Sequence, residues 1–538
     1  MQVFALYLAG QHLPDVNWDS QNTYTYTAYQ FLKFRYYKDW LAGGLNGLNP
    51  PFLQVPNFIL SHAGEWAITI FLCSFLLILQ TVIYNLFLIL FERRSLNNNK
   101  IRSRINPRSG EVHDAVVIAS LISVISLLSP LLLSELGTTM GDWLCIPILI
   151  IGLICYLNSI GSRSLSLVGA SGFFFIIATC LKLSNAPFLV AIILTIVCFG
   201  IRSLQESLKR LSAFFLGIMG GFLLFTPWYF LVYKLTSNPI FPYYNSIFKS
   251  PYYAEVSPRD LRWEFKSLSD LFELARGTWG SNLLEFEARF LWWGFTCLAL
   301  VFFFVFLAVR KSHLPRFIKN NSEESKSLNE IEKHFLFYVL FAFLIWLKFF
   351  FYARYAMFIE ILLPSVCTLI IFKIVNDQRS RLRIVSLLGL LGIIFLQVPN
   401  WNLYQVPENL QNFSKSQFTS DWKWQIERKD LPRDAYNYYL DGECSCSFIL
   451  PSLGDKASFF RLDNEIYGWV RVYPERVKQK IASGDFTRLI SRSYSEDEVV
   501  RLNEMLKSVG ENGKISLRDT KPISTLNGII YVYVLRES

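Results

Sequence analysis

The chain has 538 residues, of which 52% are hydrophobic and 16% aromatic, but only 17% are charged. Because a soluble domain carries about 25% charged residues, this composition excludes a soluble single-domain enzyme and a disordered or collagen-like chain. The net charge of +10 does not indicate nucleic-acid binding, because the sequence contains no basic stripe with interleaved aromatic residues. The composition predicts a polytopic α-helical membrane protein, whose cations collect in cytoplasmic loops.

Residues 1–63 are predicted to form an outer loop that contains an interfacial helix. Asp19 and Asn22 lead into an aromatic stretch, 24–37, whose spacing suits a helix lying at the membrane surface with its rings on the lipid side. Asp39 follows this helix. Two flanking carboxylates can act as a base and its partner in a transfer reaction, although the spacing alone fits a solvated, capped interfacial helix slightly better.

Ten apolar runs follow the first loop, and each is predicted to cross the membrane. Lysine and arginine residues follow every second run, which places those loops in the cytoplasm and places 1–63, the loop 235–289 and the region after about 399 outside it. Ten spans would leave a translocated N-terminus, so we expect a helix upstream of Met1 and about 10–11 transmembrane helices. The runs lie near 64–91, 114–134, 143–161, 165–181, 186–201, 211–234, 290–309, 335–351, 356–375 and 384–398.

Residues 399–538 have a different composition and are predicted to form a small α+β extracytoplasmic domain, while 64–398 form the transmembrane domain. Ser495 and Glu498 form a capping box ahead of a helix that Gly510 ends. Strands are predicted near 457–462, 488–491 and 529–535, with 514–517 pairing with the last of these.

The sequence contains no His-x-x-x-His, Walker loop, Gly-x-Ser-x-Gly or Gly-rich dinucleotide turn. Cys444 and Cys446 form a Cys-x-Cys pair in a polar region, with no His or further Cys near enough to complete a metal site. This pattern favours two free thiols over a disulfide. No metal ligands are assigned, the cofactor is unknown, and dependence on a divalent metal stays open.

Four short stretches occur in order along the membrane part, and together they resemble bacterial GT-C-type integral membrane glycosyltransferases, in particular a poorly characterised group of large membrane proteins. The resemblance implies a GT-C-like fold in the cell (inner) membrane. It also implies that a sugar moves from a polyprenyl-phosphate-linked donor to a lipid or glycan acceptor of the envelope. The stretches are Trp18-Asp19-x-x-Asn22 with Tyr26, Ala28, Asp39 and Asn49-Pro50; Leu181 to Pro187; Thr226-Pro227-Trp228 with Asn238 to Pro251; and Arg354-Tyr355 with Glu360.

The resemblance implies roles for four residues of the first loop. Asp19 corresponds to the base that deprotonates the acceptor hydroxyl, and Asp39 to a second acidic residue that orients the acceptor or a metal. Asn22 and Tyr24 fall among the substrate-binding residues, with Tyr24 standing where these relatives are expected to carry His. Such a transfer needs a carboxylate beside the attacking hydroxyl and a group that stabilises the departing phosphate.

Lys182 and Arg354 are the predicted phosphate-binding cations on the outer side. A Lys or Arg at the centre of a bilayer costs about 2.5–3.5 kcal/mol, so such residues are usually functional, paired or snorkelling. Both lie near the interface, where snorkelling is cheap, and that alternative stays open. Two other function classes also remain, namely a multi-span transporter or flippase, which would usually show internal repeats, and an envelope protein that resembles an O-antigen ligase or polymerase.

Overall fold

The computed structural model describes a largely helical chain with a small mixed sheet near its C-terminus. Apart from seven residues between 264 and 273, the described residues form long continuous stretches. These are 19–63, 65–102, 109–136, 140–200, 204–256, 329–349, 351–375, 377–394, 436–444, 446–462, 472–525 and 528–537.

Fourteen helices are described ahead of the C-terminal domain, and their apolar sequences account for most of the buried core. They are α1 (Thr25–Leu32), α2 (Gln54–Ala63), α3 (Glu65–Arg102), α4 (Ser109–Leu127), α5 (Pro130–Glu135), α6 (Asp142–Ser162), α7 (Leu165–Leu181), α8 (Ala186–Gly200), α9 (Leu204–Leu223), α10 (Thr226–Thr236), α11 (Asn245–Phe248), α12 (Glu330–Phe349), α13 (Met357–Ile374) and α14 (Gln378–Ile394).

Three stretches among the described residues are long and apolar enough to cross a membrane: Ile70–Phe91, Asp142–Ser162 and Ala353–Lys373. Helices α9 and α10 add a fourth if they form one span with a bend of 62°. Several other predicted spans coincide with shorter apolar helices, while 290–309 lies outside the described residues. The chain therefore has the helices of a membrane protein, and the count of 10–11 spans stays a prediction.

Glycines allow helices α7 and α9 to approach each other closely. A Cβ atom built on Gly172 would lie 2.2 Å from the carbonyl oxygen of Phe214. One built on Gly217 would lie 1.8 Å from the carbonyl oxygen of Gly169. Backbone contact of this kind is typical of helix pairs in membranes. There, association depends on close van der Waals packing, which small residues allow. The pair forms one wall of the helical region.

The C-terminal domain contains a five-stranded sheet in the order β2-β1-β3-β6-β5, in which β1 is parallel to β2 and β3, and β6 is antiparallel to β3 and β5. The strands and helices of this domain are β1 (Asn437–Leu440), β2 (Phe459–Arg461), α15 (Glu475–Ala482), β3 (Phe486–Ser491), α16 (Glu496–Ser508), β4 (Gly513–Lys514), β5 (Thr520–Thr525), β6 (Gly528–Val534) and β7 (Arg536–Glu537).

The secondary-structure predictions for this domain are mostly confirmed. The Ser495 hydroxyl accepts a hydrogen bond from the Glu498 amide at 3.2 Å, as the capping box requires, and Gly510 follows the helix with φ +85°. Strands β2, β3 and β6 lie where the alternation predicted them. The pairing predicted for 514–517 is wrong, because β6 is already flanked by β3 and β5, and β4 pairs with β7 instead.

The first loop packs on both faces of this sheet. The Trp40 amide donates to the Phe459 carbonyl at 2.9 Å, and the Arg461 amide donates to the Trp40 carbonyl at 3.2 Å, which continues the sheet beyond β2. Tyr26 and Tyr29 of α1 are buried against one face. The expectation that these rings face lipid is therefore wrong, because the C-terminal domain covers the aromatic side of the helix.

The prediction of free thiols at the Cys-x-Cys pair is also wrong. Cys444 and Cys446 form a disulfide, with their Cα atoms 5.2 Å apart. This separation lies within the range that a disulfide spans, which the sequence spacing alone did not reveal. Both cysteines are buried beside Ser447, whose hydroxyl contacts the first loop.

Candidate active site

Asp19 lies where the first loop reaches the helical region. Its side chain is 24% exposed, and its Oδ2 accepts a hydrogen bond from Nη1 of Arg354 at 2.9 Å. A π-helical turn, Ser20–Tyr24, follows it directly and leads into α1. Extra turns of this kind are frequent at functional sites because they re-aim the neighbouring side chains. Asp19 thus joins two segments that lie 335 residues apart in the chain.

Arg354 is held in a short 3-10 turn, Ala353–Ala356, immediately before α13. Its Nε lies 3.3 Å from Oδ2 of Asp142 and 3.8 Å from Oε1 of Glu135. The guanidinium carbon also lies 5.2 Å from the centroid of the Tyr355 ring, within the range of a cation–π contact. A planar guanidinium suits this position because it bonds several acceptors at fixed angles.

Lys182 directly follows α7, at the same end of the helices as Arg354. Its Nζ lies 2.6 Å from Oδ2 of Asp142 and donates to the carbonyl of Met140 at 2.8 Å. It also lies 5.7 Å from the centroid of the Tyr355 ring. Asp142 is therefore shared by both cations, and this shared carboxylate holds two positive side chains at one place.

Glu135 is the third carboxyl group of this cluster and is fully buried. Burial and the neighbouring charge of Asp142 raise the pKa of Glu135 well above its usual value, despite the opposing influence of the two cations. The two cations, Lys182 and Arg354, thus face the carboxyl groups of Asp19, Glu135 and Asp142. The cluster of Asp19, Glu135, Asp142, Lys182 and Arg354 is called the charge cluster below.

Tyrosine phenols surround the charge cluster. Burial and the charge of Asp19 raise the pKa of Tyr24 well above its ordinary value, so this phenol stays neutral. Burial and Tyr355 raise the pKa of Tyr243 to about 12, and the Tyr243 hydroxyl donates to Oδ1 of Asn46 at 3.2 Å. The site thus presents neutral hydroxyl groups beside its charges, as a site for sugar hydroxyls or phosphate oxygens requires.

The structure brings together four of the six residues that the sequence singled out: Asp19, Tyr24, Lys182 and Arg354. Asn22 lies apart, with its Oδ1 accepting from Nη2 of Arg461 in the C-terminal domain at 2.6 Å. Asp39 also lies apart from the cluster, where the first loop meets β2.

The Asp39 carboxylate is fully occupied by protein donors. Arg35 binds both of its oxygens, at 2.6 Å from Nε and 2.9 Å from Nη2, and the Phe459 amide donates to Oδ1 at 3.0 Å. The Tyr26 hydroxyl donates to Oδ2. This network joins the first loop to β2, so the geometry favours a structural role for Asp39 over the catalytic role that the resemblance implied.

Sequence reasoning assigned no role to Glu135, Asp142 or Tyr243. The available signal for the first two was their position in a short outer loop without cations, and Tyr243 lies in a stretch that carries the family resemblance. Among the described residues, no group of three His, Cys, Asp or Glu side chains is arranged to hold a metal ion.

No family model matches the chain, and comparisons with curated proteins and with solved structures found no match.

Proposed function

We propose that the chain is a GT-C-like membrane glycosyltransferase that moves a sugar from a polyprenyl-phosphate-linked donor to an envelope lipid or glycan. One observation carries the proposal: the Asp19 carboxylate contacts Arg354, and Arg354 shares Asp142 with Lys182. A base for the acceptor and two cations for the phosphate thus lie in one cluster, which is what a transfer of this kind needs.

The depth of the charge cluster supports a lipid-linked donor. Asp142 is the first residue of one candidate span, and Arg354 is the second residue of another. Both therefore lie at the ends of apolar helices, where the phosphate of a lipid meets water. A donor that arrives through the bilayer also agrees with the absence of a nucleotide-binding motif from the sequence.

In the proposed reaction, the donor phosphate replaces Asp19 as the partner of Arg354, while Lys182 binds a second phosphate oxygen. Asp19 is then free to accept the proton of the acceptor hydroxyl. The hydroxyl oxygen bonds to the anomeric carbon, the bond from that carbon to the phosphate oxygen breaks, and polyprenyl phosphate leaves with its charge held by the two cations. Donor binding and release of the base are coupled, because one guanidinium serves both.

Asp19→Asn tests the proposal. The purified full chain is assayed for release of polyprenyl phosphate from polyprenyl phosphates that carry a hexose or a pentose, with envelope glycolipids of a gene-deleted host compared by mass spectrometry. A general base contributes about 10²- to 10⁴-fold in rate, so we expect this loss while the protein still accumulates in the membrane. The matched control, Asp485→Asn, changes an exposed carboxyl group of the C-terminal domain.

Near-normal transfer by Asp19→Asn would contradict the assignment of the base and with it the proposed site. Movement of intact polyprenyl-phosphate-linked sugar across vesicles, without release of polyprenyl phosphate, would instead favour the transporter or flippase. We further propose that the C-terminal domain lies outside the cytoplasm. Reporter fusions after residue 400 that are active in the cytoplasm would contradict this orientation.

A further inference from the structure

The backbone that follows Asp19 is held by the C-terminal domain. The Ser447 hydroxyl contacts two consecutive carbonyls of the π-helical turn, those of Gln21, at 3.0 Å, and Asn22. Nη2 of Arg492 donates to Oε1 of Gln21 at 2.7 Å. Gln21 and Asn22 are both buried in this contact.

Arg461 of the same domain also contacts the first loop through its side chain. It is fully buried, and burial lowers its pKa to about 10. Its guanidinium donates to Oδ1 of Asn22 at 2.6 Å, to the Gly442 carbonyl at 3.1 Å and to the Ala42 carbonyl at 3.3 Å. Burying a charged group is costly unless it is hydrogen-bonded, and here part of that bonding is directed at the first loop.

We propose that the C-terminal domain sets the position of Asp19, with Ser447 and Arg461 as positioning residues. The inference rests on the proposed function. Asp19 lies only two and three residues before the anchored positions, and consecutive Cα atoms are 3.8 Å apart, so a fixed turn leaves its carboxylate little freedom. Arg354 holds the same carboxylate from the membrane side. Asp19 is therefore set between two independent supports.

Precise placement matters because a displacement of about 1 Å can cost about 100-fold in rate. A positioning role predicts that loss of an anchor lowers kcat and leaves binding of the donor phosphate unchanged. A role in substrate binding, which the sequence suggested for Asn22, predicts a raised KM instead. A merely structural role predicts lower thermal stability.

The primary test is Ser447→Ala, which removes one buried hydroxyl group. The matched control is Ser458→Ala in the same domain, since Ser458 is also buried but its hydroxyl accepts a hydrogen bond from Lys480 at 2.8 Å. We expect Ser447→Ala to lower kcat about 10- to 100-fold, with KM, binding of polyprenyl phosphate and the melting temperature as in Ser458→Ala.

The second variant, Asn22→Ala, removes the partner of Arg461 without changing the C-terminal domain. We expect the same loss of kcat at unchanged KM. A raised KM with unchanged kcat would overturn the inference and return Asn22 to substrate binding. Activity of both variants equal to that of Ser458→Ala would overturn it as well. If Asp19→Asn retains transfer activity, the proposed function is contradicted. If Asp19→Asn is inactive but Ser447→Ala has normal activity, only the positioning role is contradicted.

Discussion

The two acidic residues of the first loop have opposite surroundings. The Asp19 side chain is 24% exposed and bonds to Arg354, which other carboxylates share. The Asp39 side chain is 0% exposed, and its oxygens accept bonds from Arg35, Tyr26 and the Phe459 amide. Among the described residues, Asp19 thus has one hydrogen-bonding partner, Arg354, and access to solvent, while both oxygens of the buried Asp39 accept bonds from protein donors.

Exposure and hydrogen-bonding partners thus distinguish a reactive carboxylate from a structural one. A base must reach its substrate, and a bond to a single guanidinium can be exchanged for a bond to phosphate. A carboxylate that joins a loop to a strand must keep its hydrogen bonds to do so. These bonds would have to break before it could react. Similar sequence contexts, an acidic residue beside an aromatic helix, therefore carry two different roles.

The difference between Asp19 and Asp39 predicts its largest effect on stability for Asp39→Asn. The change leaves the buried Arg35 without its counter-charge, and breaking a buried pair in this way costs about 3–5 kcal/mol. We expect a lower melting temperature and faster proteolysis at the junction between the first loop and the C-terminal domain, while the protein that remains folded still transfers sugar. Asp19→Asn should show the reverse, with normal stability and no transfer.

The matched control is Asp377→Asn, because Asp377 is exposed and accepts from the Ser380 amide at 2.7 Å at the start of α14. Asn substitutes well at such a capping position. If Asp39→Asn were as stable as this control and yet inactive, Asp39 would belong with Asp19 in the chemistry, as the family resemblance implied.

The next effect concerns the two cations. Lys182→Gln and Arg354→Gln each remove a charge-assisted contact to phosphate, worth about 1.5–3 kcal/mol, so we expect polyprenyl phosphate in nanodiscs to bind about 10- to 100-fold more weakly. Lys234→Gln is the control, since Lys234 is an exposed cation near the end of α10 that packs on Phe230. Equal binding by all three variants would indicate that Lys182 and Arg354 only snorkel.

Local sequence patterns predicted the helices, the helix cap and the strands that depend on residues close together in the chain. The apolar runs predicted helices, and the Ser495 cap, the helix after it and strands β2, β3 and β6 were all predicted within a few residues. These signals succeed because hydrogen bonds and side-chain periodicity within about ten residues decide them.

Contacts between distant segments could not be predicted in this way. An aromatic helix face suits lipid and protein equally well, so only the structure reveals that Tyr26 faces the C-terminal domain. The role of Asp142 depends on Lys182 and Arg354, and no local spacing records that partnership. The family resemblance singled out both cations, but only the geometry reveals the carboxylate they share.

The smallest effect is expected for Asp455→Asn, at the ion pair between Lys33 of the first loop and Asp455 of the C-terminal domain. Asp455 accepts from Lys33 at 2.7 Å and from the Tyr29 hydroxyl at 2.7 Å, but its side chain is 55% exposed. An exposed pair of this kind contributes at most about 1 kcal/mol, and salt screens it further. The contrast with Asp39 tests whether burial, and not the number of loop contacts, determines stability at this junction.

The stabilisation by the pair of Lys33 and Asp455 should depend on pH. Hydrogen bonds from Lys33 and Tyr29 lower the pKa of Asp455 below its value in the unfolded chain. The pair therefore stabilises fully above about pH 4, and its contribution is lost as the pH falls through the lowered pKa. The melting temperatures of the native chain and Asp455→Asn should differ slightly at pH 7 and converge as the pH falls through the lowered pKa of Asp455. A difference that does not shrink with falling pH, or a loss as large as that of Asp39→Asn, would contradict the dependence on burial.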